Sequence, residues 1–489
     1  MKQLIASLWK FSCVFILISL INFCIFSASV LAESGNNSEQ TNQVVKAIKA
    51  ANSQLSDKIK TEKYCSLACE LFTFYRGTNY LYWTDFSQDS RLKQFGNDKT
   101  KTWISADLHL NNFGAYNNDE GEIVFDLNDF DESVVADYQY DIWRMATSIV
   151  LGVSNNDPTS LTTEKRKDVE DAIDKFTESY LDTLASYLGN DQENSTYFTA
   201  KNTAGKVKDL LQEAEDMSRQ DLLKKWTEKD NNKPRFKSPK EIKHKLETAS
   251  KDEKKAIKSQ FFAYGNTLSG KLKYDENTFQ IKDIAPRLKA GLGSLGTPRY
   301  YVLIEGDSDS LKDDRILDVK RQSKPTAYQV FSQAEKATYD QLFKNDAQRH
   351  EIAYSALTKH TDDYLGWMYL TDPKGNFTGY YSVREVSPNK SDFEDIDFNL
   401  AEANKQDLLE VAQQWGQILA TDHARADQDF DAKYVPYSLE KQVTEITDGK
   451  HQEFRYLVKE IAFDYANQVQ ADYDSFVDNL KPENCPKCE

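Results

Sequence analysis

The chain has 489 residues, of which 39% are hydrophobic and 12% aromatic, and its formal net charge is −17. This length is more than one small hydrophobic core needs, and this composition excludes global disorder. The acidic balance disfavours binding to nucleic acid or to anionic membrane surfaces.

The first 32 residues are typical of a secretory signal peptide. Lys2 and Lys10 give a positive start, an apolar run follows, and Val30 and Ala32 occupy the −3 and −1 positions of a cleavage site. The run is also long enough to span a bilayer, so an uncleaved anchor is the alternative. Cleavage would remove two lysines and no acid and change the charge from −17 to −19. We therefore expect a secreted or periplasmic protein without membrane contact after cleavage.

Four cysteines remain beyond this segment, as C-x3-C near one end of the chain and C-x2-C at the other: Cys65, Cys69, Cys485 and Cys488. In an exported protein, cysteines are predicted to form disulfides. A zinc site with four thiolates is the alternative, because C-x2-C is a common half of such sites.

The rest of the chain divides by pattern into four segments. Residues 33–63 are polar and predict a tether with one helix. Residues 64–258 begin with alternating apolar and polar stretches and turn signals, and become helical from Tyr140 to about Lys258. This helical part includes a charged stretch, "KWTEKDNNKPRFKSPKEIKHKLETASKDEKK", that is typical of solvated helix and loop. Residues 259–395 are rich in predicted strands, and residues 396–489 are helical. The pattern predicts an α+β fold.

An acidic stretch, "ISADLHLNNFGAYNNDEGEIVFDLNDFDES", covers Ile104 to Ser133. Its short apolar strand ends in aspartates, which repel one another unless a cation is present. Oxygen ligands of this kind suit Mg²⁺ or Mn²⁺, usually shared with a phosphate. A calcium loop is disfavoured because Asp131 stands where an EF-hand needs glycine. Turn and cap residues are the structural alternative.

The spacing within "ADLHLNN" resembles the catalytic loop of the protein-kinase-like superfamily, especially its aminoglycoside phosphotransferase and choline kinase branches. The resemblance implies that Asp107 orients and deprotonates the acceptor and that Asn112, five residues later, binds the metal. It implies that Asp129 of "NDF" is the second metal ligand, with Asp126 as its competitor. Asp141 resembles the structural aspartate at a helix start in these branches.

The phosphate-binding elements of such a fold occur downstream of this loop. "GLGSLG" contains Gly291, Gly293 and Gly296 and lies between two predicted strands, as in kinases. "RILDVKRQ" then supplies Lys320, and Glu351 is its expected ion-pair partner, with Glu335 as the alternative.

The helix "WGQILATDHARAD" resembles the one that normally precedes the catalytic loop. We therefore expect a circularly permuted, two-lobed kinase-like fold with a β-rich small lobe and a helical large lobe. This order predicts that the two cysteine pairs, at opposite ends of the chain, are spatial neighbours.

Several separated blocks from about residue 70 to 430 resemble a bacterial family known only as a numbered domain of unknown function: "FYRGT", "DLHLNNFG", "NDFDE", "GLGSLG", "VKRQ" and "DHARAD". The chain departs from the family pattern at Ala106, where glycine is usual. It also has Ser105 where kinases have histidine, two residues before the catalytic aspartate. His109 is the polar group that could compensate for this histidine, although a lone histidine is more often structural. Further candidates for contacts with phosphate or carboxylate groups, each equally consistent with an internal ion pair, are Arg76, Arg384, His423 and Arg425.

The leading hypothesis is an exported phosphotransferase that uses ATP and Mg²⁺ (or Mn²⁺). Its partners would be a nucleotide and an unknown small-molecule or protein acceptor. A nucleotide-binding pseudokinase that acts through protein interactions, a nucleotidyl transferase on the same architecture, and a metal-dependent hydrolase are the alternatives.

Overall fold

The computed structural model describes residues 41–488 except 156, 232, 278, 289, 290, 292, 294, 309, 359, 373 and 394–398. It confirms the α+β class, with many helices and several small antiparallel sheets. The predicted signal peptide and its alternative, the uncleaved anchor, lie outside the described residues. Across 41–488, leaving out those gaps, no helix combines the length and the apolar character needed to cross a bilayer.

The described residues form these α-helices: α1 (41–51), α2 (Asp57–Leu67), α3 (Leu71–Gly77), α4 (Asn79–Phe86), α5 (Leu92–Phe95), α6 (Gln139–Val153), α7 (Thr163–Ser186), α8 (Gly205–Glu215), α9 (Arg219–Trp226), α10 (Lys251–Gly265), α11 (Gln333–Leu342), α12 (Asp346–Leu357), α13 (Lys405–Arg425), α14 (Gln428–Asp431), α15 (Leu439–Thr447) and α16 (His451–Leu480). Short 3-10 helices cover Leu110–Asn112, Pro158–Ser160, Gln192–Ser195 and Thr326–Gln329.

The strands are β1 (Lys101–Ile104), β2 (Phe113–Asn117), β3 (Ile123–Leu127), β4 (Val134–Asp137), β5 (Thr227–Asp230), β6 (Lys233–Phe236), β7 (Ile281–Pro286), β8 (Arg299–Ile304), β9 (Arg315–Arg321), β10 (Gly366–Leu370), β11 (Gly379–Glu385) and β12 (Ser391–Asp392). β1 pairs with β4, and β12, β2 and β3 form a three-stranded sheet in that order.

The largest sheet has five antiparallel strands in the order β10–β11–β9–β8–β7. One face packs against α10, where Ile257 and Tyr264 join Val319 and Val383 in a buried apolar core. This packing follows from the alternation of side chains along a strand, because Val319 and its neighbour Lys320 point to opposite faces.

The register of this sheet places polar residues side by side on its second face. Lys320 is paired with Arg299 on one neighbouring strand and with Ser382 on the other. Asp318 is similarly paired with Tyr301 and Arg384. Since paired residues on adjacent strands share a face, this face presents rows of charged and polar side chains.

The helices α6, α7, α13 and α16 form a second, larger apolar core. α13 approaches α7 closely at Gly416, where an added Cβ would lie 2.2 Å from the carbonyl oxygen of Phe176. Ile104 at the end of β1 pairs with Val134 at the start of β4. The helical core therefore supports the small β1–β4 sheet from which the acidic stretch emerges.

One segment predicted as solvated helix and loop is different in the structure. β5 and β6 form a hairpin within the charged stretch, in which Arg235 pairs with Glu228 across the strands at 3.0 Å. Phe236 and Trp226 join Tyr301 in a small apolar cluster. The sequence reading was wrong here because the apolar contacts that hold the hairpin come from a distant strand.

Two disulfides join the ends of the described chain. Cys65 is bonded to Cys485 and Cys69 to Cys488, which connects α2 to the tail after α16. The expected proximity of the two pairs is confirmed, and the zinc alternative is excluded because the thiols are consumed. Disulfides persist in oxidising compartments, which indicates an extracellular or periplasmic environment.

Candidate active site

The loop that carries Asp107 is held in shape by buried hydrogen bonds. The backbone N–H groups of Ser105 and Ala106 donate to the Asp141 carboxylate at 2.7 and 2.9 Å. The Ala106 carbonyl accepts from Trp83 Nε1 and Asn79 Nδ2. Ala106 has a φ of 64°, in the left-handed region that favours glycine, which gives a physical reason for the glycine usual in this block.

Asp107 is paired with an arginine that sequence reasoning did not identify. Arg144 Nε and Nη2 donate to the same oxygen, Asp107 Oδ1, at 2.8 and 2.5 Å. The arginine side chain is 1% exposed, and its guanidinium carbon lies 4.2 Å from the centroid of the Tyr75 ring. Burial raises the pKa of Asp107 to about 7, although the charge of Arg144 opposes this shift.

The end of the same loop carries Asn112 in a 3-10 turn. Asn112 Nδ2 donates to the backbone carbonyl of Asp107 at 3.0 Å, and the Asn112 carbonyl accepts from the N–H of Asn128 at 3.0 Å. His109 accepts from Asn111 N–H at its Nδ1, and burial, followed by the charge of Arg76, lowers the pKa of His109 well below its usual value. His109 is therefore a neutral residue that shapes the loop.

Asp129 lies two residues after the end of β3 and is open to solvent. Its Oδ1 accepts from the backbone N–H of Asp131 at 3.3 Å, and within the described residues it forms no ion pair. Desolvation and then the charge of Asp131 raise the pKa of Asp129, while Lys320 and Arg384 act in the opposite direction. A carboxylate with these neighbours and no cation of its own is a suitable metal ligand.

Lys320 forms its ion pair with Asp131 of the acidic stretch. The other Asp131 oxygen accepts from Gln322 Nε2 at 2.8 Å and lies 3.7 Å from His350 Nε2. Although burial opposes it, the positive charge of Lys320 holds the pKa of Asp131 well below its usual range. Lys320 and Asp129 are thus brought to the same part of the molecule.

The expected ion pair between Lys320 and Glu351 is not formed, and this expectation is corrected. Glu351 lies on α12 next to His350, and its carboxyl contacts Ser269 and Ser355 instead. Neighbouring residues on a helix point in different directions, so α12 can present only one of the two to Lys320.

The glycine segment joins β7 to β8 in an antiparallel hairpin, as expected. Gly291 and Gly293 line the same cavity as Lys320, and Gly291 has a φ of 111°. Gly296, at φ 83°, lies outside the cavity, where an added Cβ would be 3.0 Å from Leu55 and 3.1 Å from Ile59. The segment therefore both borders the cavity and packs against the N-terminal region.

A cavity of about 380 Å³ brings most of the predicted residues together. Its lining includes Asp107, Asn112, Asp129, Gly291, Gly293, Lys320, Arg76, His109 and Arg384. Both positive and negative side chains line it, so the cavity is suited to bind a polyanion together with a cation.

A second cavity of about 440 Å³ adjoins the first and shares Arg299, Asp318 and Arg384 with it. Arg299 Nε donates to Asp318 Oδ1 at 2.7 Å, so these two charges of the shared wall are paired with each other. The second cavity is also lined by aromatic residues and by the segment that follows β11, including Tyr354 and Val386.

Besides Gly296 and Glu351, three further predicted candidates lie away from the cavity, and their assignment to it is corrected. Asp126 lies within β3 and is buried, with its Oδ2 3.9 Å from Arg425 Nη1 and its carboxyl in contact with Asp422. His423 is fully buried and bonded to Tyr180 and Asp141. Arg425 donates to the carbonyls of Glu193, Thr196 and Leu357. All three have structural roles.

Sequence reasoning missed three residues that line the cavity, Asn128, Asp131 and His350. It also missed Arg144, which is buried outside the lining and holds Asp107. Arg144 had a usable signal, because an arginine within the apolar stretch "DIWRMATSIVLGV" needs a buried partner. Asp131 was within the "NDFDE" block, but its spacing gave no indication that it would pair with Lys320.

The fold and cavity define an α+β protein with a charged cleft lined by one strand face and by acidic loops. The chain belongs to the family of uncharacterized proteins conserved in bacteria known as DUF2252, whose family model matches residues 56–479. No curated protein and no solved structure matches the chain.

Proposed function

We propose that this protein is an exported phosphotransferase that uses ATP and Mg²⁺, on a two-lobed kinase-like fold with circularly permuted chain order. One observation carries the proposal: Asp107, Asn112 and Asp129 line the same cavity as Gly291, Gly293 and Lys320, about 160 to 210 residues away along the chain.

The permuted order is supported by the position of α13 beside the strand that leads into the catalytic loop. α13 ends at Arg425, and the carbonyl of His423 accepts a hydrogen bond from Thr102 of β1 at 2.9 Å. The helix that would precede the catalytic loop in the usual order thus lies beside the strand that leads into it. The disulfides join the regions that permutation would bring together.

Asp107 is proposed to act as the general base. Arg144 occupies one of its oxygens, and within the described chain no hydrogen bond is made to the other, Oδ2. Asp107 would take the proton from an acceptor O–H or N–H while the acceptor atom bonds to the γ-phosphorus. The bond from that phosphorus to the bridging oxygen breaks, and ADP leaves.

Asn112 and Asp129 are the residues proposed to hold Mg²⁺. The Asn112 amide nitrogen is bonded to the Asp107 carbonyl, which leaves its side-chain oxygen as the ligand atom. Asp129 has no ion pair within the described residues, so its carboxylate can accept a cation. Bound Mg²⁺ would offset the negative charge of the triphosphate.

Lys320, Gly291 and Gly293 are proposed to hold the phosphates, and the adjoining cavity is proposed to hold the nucleoside. Asp131 orients Lys320 in place of the expected glutamate. Tyr301 and Tyr354 supply aromatic surface in the adjoining cavity, and Arg384 lines both cavities. A nucleotide could then extend from the aromatic cavity to the charged one.

The test is incubation of the purified chain with Mg²⁺, a bacterial cell extract, and ATP labelled at either the γ or the α phosphate. Label transfer from the γ position alone is expected. Transfer from the α position would assign nucleotidyl transfer instead, and magnesium-dependent ATP binding without transfer would assign a pseudokinase.

Matched variants connect any transfer to the cavity. Asp107→Asn and Asp129→Asn should each lower the rate at least about a hundredfold, since each removes a group that acts in the transition state. Glu122→Gln is the control, because Glu122 is exposed and lies outside both cavities. Full activity of Asp129→Asn would exclude the proposed metal site.

A further inference from the structure

A second acidic region lies near the short helix α14, apart from the proposed active site. Five carboxylates meet there, between the 3-10 helix Gln192–Ser195 and the start of α15, and we name them the α14 acidic cluster: Asp191, Glu193, Asp427, Asp429 and Glu440. Carboxylate oxygens of Asp191, Glu193 and Asp429 all lie within 4.8 Å of one another.

Two side chains of the cluster are buried and carry an oxygen without a donor. Glu193 is 2% exposed and Glu440 is 8% exposed, and the Oε2 atom of each has no hydrogen-bond partner among the described residues. Their other oxygens accept from Asn194 and Ser438. Leaving a buried carboxylate oxygen unsatisfied is costly, which indicates a missing positive partner.

No side chain of the described residues supplies that positive charge. None of the five carboxylates forms an ion pair with a lysine, arginine or histidine of residues 41–488 outside the gaps. Burial, and then the charges of Asp429 and Glu440, raise the pKa of Glu193 to about 7. Burial and Glu440 raise the pKa of Asp427 to about 8.

A comparable acidic group elsewhere in the molecule is neutralised by the protein itself. Glu178, Asp182 and His451 also cluster, but Arg455 pairs with Glu178, and Lys459 with the nearby Asp174. This contrast distinguishes the α14 acidic cluster from an ordinary charged surface and provides an internal control.

We propose that the α14 acidic cluster is a calcium-binding site. Calcium accepts six to eight oxygen ligands at about 2.3–2.6 Å, so oxygens on opposite sides of the ion are about 5 Å apart, which is compatible with the observed spacing. The exposed Asp191 and Asp429 leave one side open for water ligands. Calcium is also favoured over magnesium because flexible, carboxylate-rich sites suit the larger ion.

Asp427 has a different role in this site. Its two oxygens accept from the backbone N–H groups of Asp429, at 3.0 Å, and Leu439, at 2.6 Å. It therefore closes the loop between α14 and α15 and positions Asp429 and Glu440. Calcium would fasten this loop to the 3-10 helix whose Glu193 carbonyl accepts from Arg425.

The test begins with the purified chain from which EGTA has removed any calcium. Calcium is then added at pH 7.5, and binding is followed by calorimetry and by thermal unfolding. We expect one calcium ion per chain at this site and a rise in Tm of about 3 °C at a hundredfold excess over Kd. Absence of both responses would overturn the proposal and would mean that the carboxylates of the cluster share protons with one another instead of binding an ion. An equal response to magnesium would overturn the choice of calcium.

Three variants make the result specific. Glu193→Gln and the exposed Asp429→Asn should each weaken calcium binding at least about tenfold, because even supporting partners of metal ligands contribute that much. In EGTA both variants should unfold no earlier than the wild type, since each removes charge repulsion. Asp182→Asn, in the neutralised group, should bind calcium like the wild type.

The site is distinguishable from the proposed magnesium site. Asp129→Asn should leave the calcium titration unchanged while it abolishes nucleotide-dependent effects. The proposal would be overturned if Asp129→Asn lost calcium binding. It would also be overturned if Glu193→Gln and Asp429→Asn both bound calcium as strongly as the wild type.

Discussion

The two disulfides should stabilise the chain in a strongly non-additive way. Cys65–Cys485 and Cys69–Cys488 close loops of 420 and 419 residues, so the two bonds constrain nearly the same long loop. Either bond alone keeps that loop closed. Removing one bond therefore opens only the small ring between the two bonds.

The loop-closure relation gives the magnitudes. Closing a loop of this length destabilises the unfolded chain by at most about 6 kcal/mol. Closing the small ring of roughly nine residues destabilises it by at most about 2.5 kcal/mol. Replacing either cysteine pair with serine should thus cost at most about 2.5 kcal/mol. Replacing both pairs should cost up to about 8.5 kcal/mol, well above the sum of the two single effects.

Native contacts at this junction do not depend on the bonds. Phe476 of α16 packs against Tyr64 and Phe74, with ring centroids 5.6 and 5.4 Å apart. The loss of stability should therefore come mainly from the unfolded chain, and the folded far-UV spectrum should be unchanged.

The assay is denaturant unfolding of the wild type, the two variants that each lack one bond, and the variant that lacks both, under non-reducing conditions. The same four proteins in reducing buffer are the control and should converge. Simple additivity of the two single losses would refute the reasoning, because it would mean that the bonds constrain separate regions.

Three further predictions concern titrating and charged groups. Transfer activity should rise about tenfold per pH unit up to pH about 7, as Asp107 ionises. Arg144→Gln should move the midpoint of this rise to higher pH, because removing the arginine raises the pKa of Asp107 further. A pH–rate profile of the wild type and the variant checks both expectations. Lys320→Met should raise the KM for ATP roughly tenfold to a hundredfold, as measured by initial rates, because a charged hydrogen bond to phosphate is worth about 1.5–3 kcal/mol; an unchanged KM would exclude Lys320 from the phosphate site. Burial and then the charge of Asp126 hold the pKa of Asp422 well above its usual value, so the folded chain binds an extra proton and its stability falls as pH rises. Asp422→Asn should flatten the decline of Tm as pH rises above about 4, the ordinary pKa range of an aspartate. An equally steep decline in the variant would contradict this assignment.

Local patterns predicted much of the fold. The strands β7, β8, β9, β10 and β11 lie within the segment 259–395 that was predicted to be rich in strands, and the helix α13 lies within the predicted helical segment 396–489. Such segments can be predicted because residue preference and side-chain spacing are local properties. The hairpin at residues 227–236 was missed, since its apolar partner Tyr301 is more than 60 residues away. Tertiary packing overrode the local charged pattern there.

The candidate site was only partly predictable for the same reason. Asp126 and Asp129 are three residues apart in an acidic block, and spacing alone left both as metal ligands. The structure separates them, because Asp126 lies on β3 facing Arg425 while Asp129 follows the strand and opens into the cavity. Lys320 likewise pairs with Asp131 and not with Glu351, because α12 presents His350 toward the cavity.

The sequence by itself determined the α+β class, the location of the strand-rich and C-terminal helical segments, and the chemical character of the acidic and glycine-rich segments. Only the tertiary structure decided which charges meet, which cysteines bond and which aspartate faces the cavity. The physical reason is that backbone and side-chain periodicity act over a few residues. Ion pairs and disulfides depend on the distance between segments hundreds of residues apart, which only the packed fold fixes.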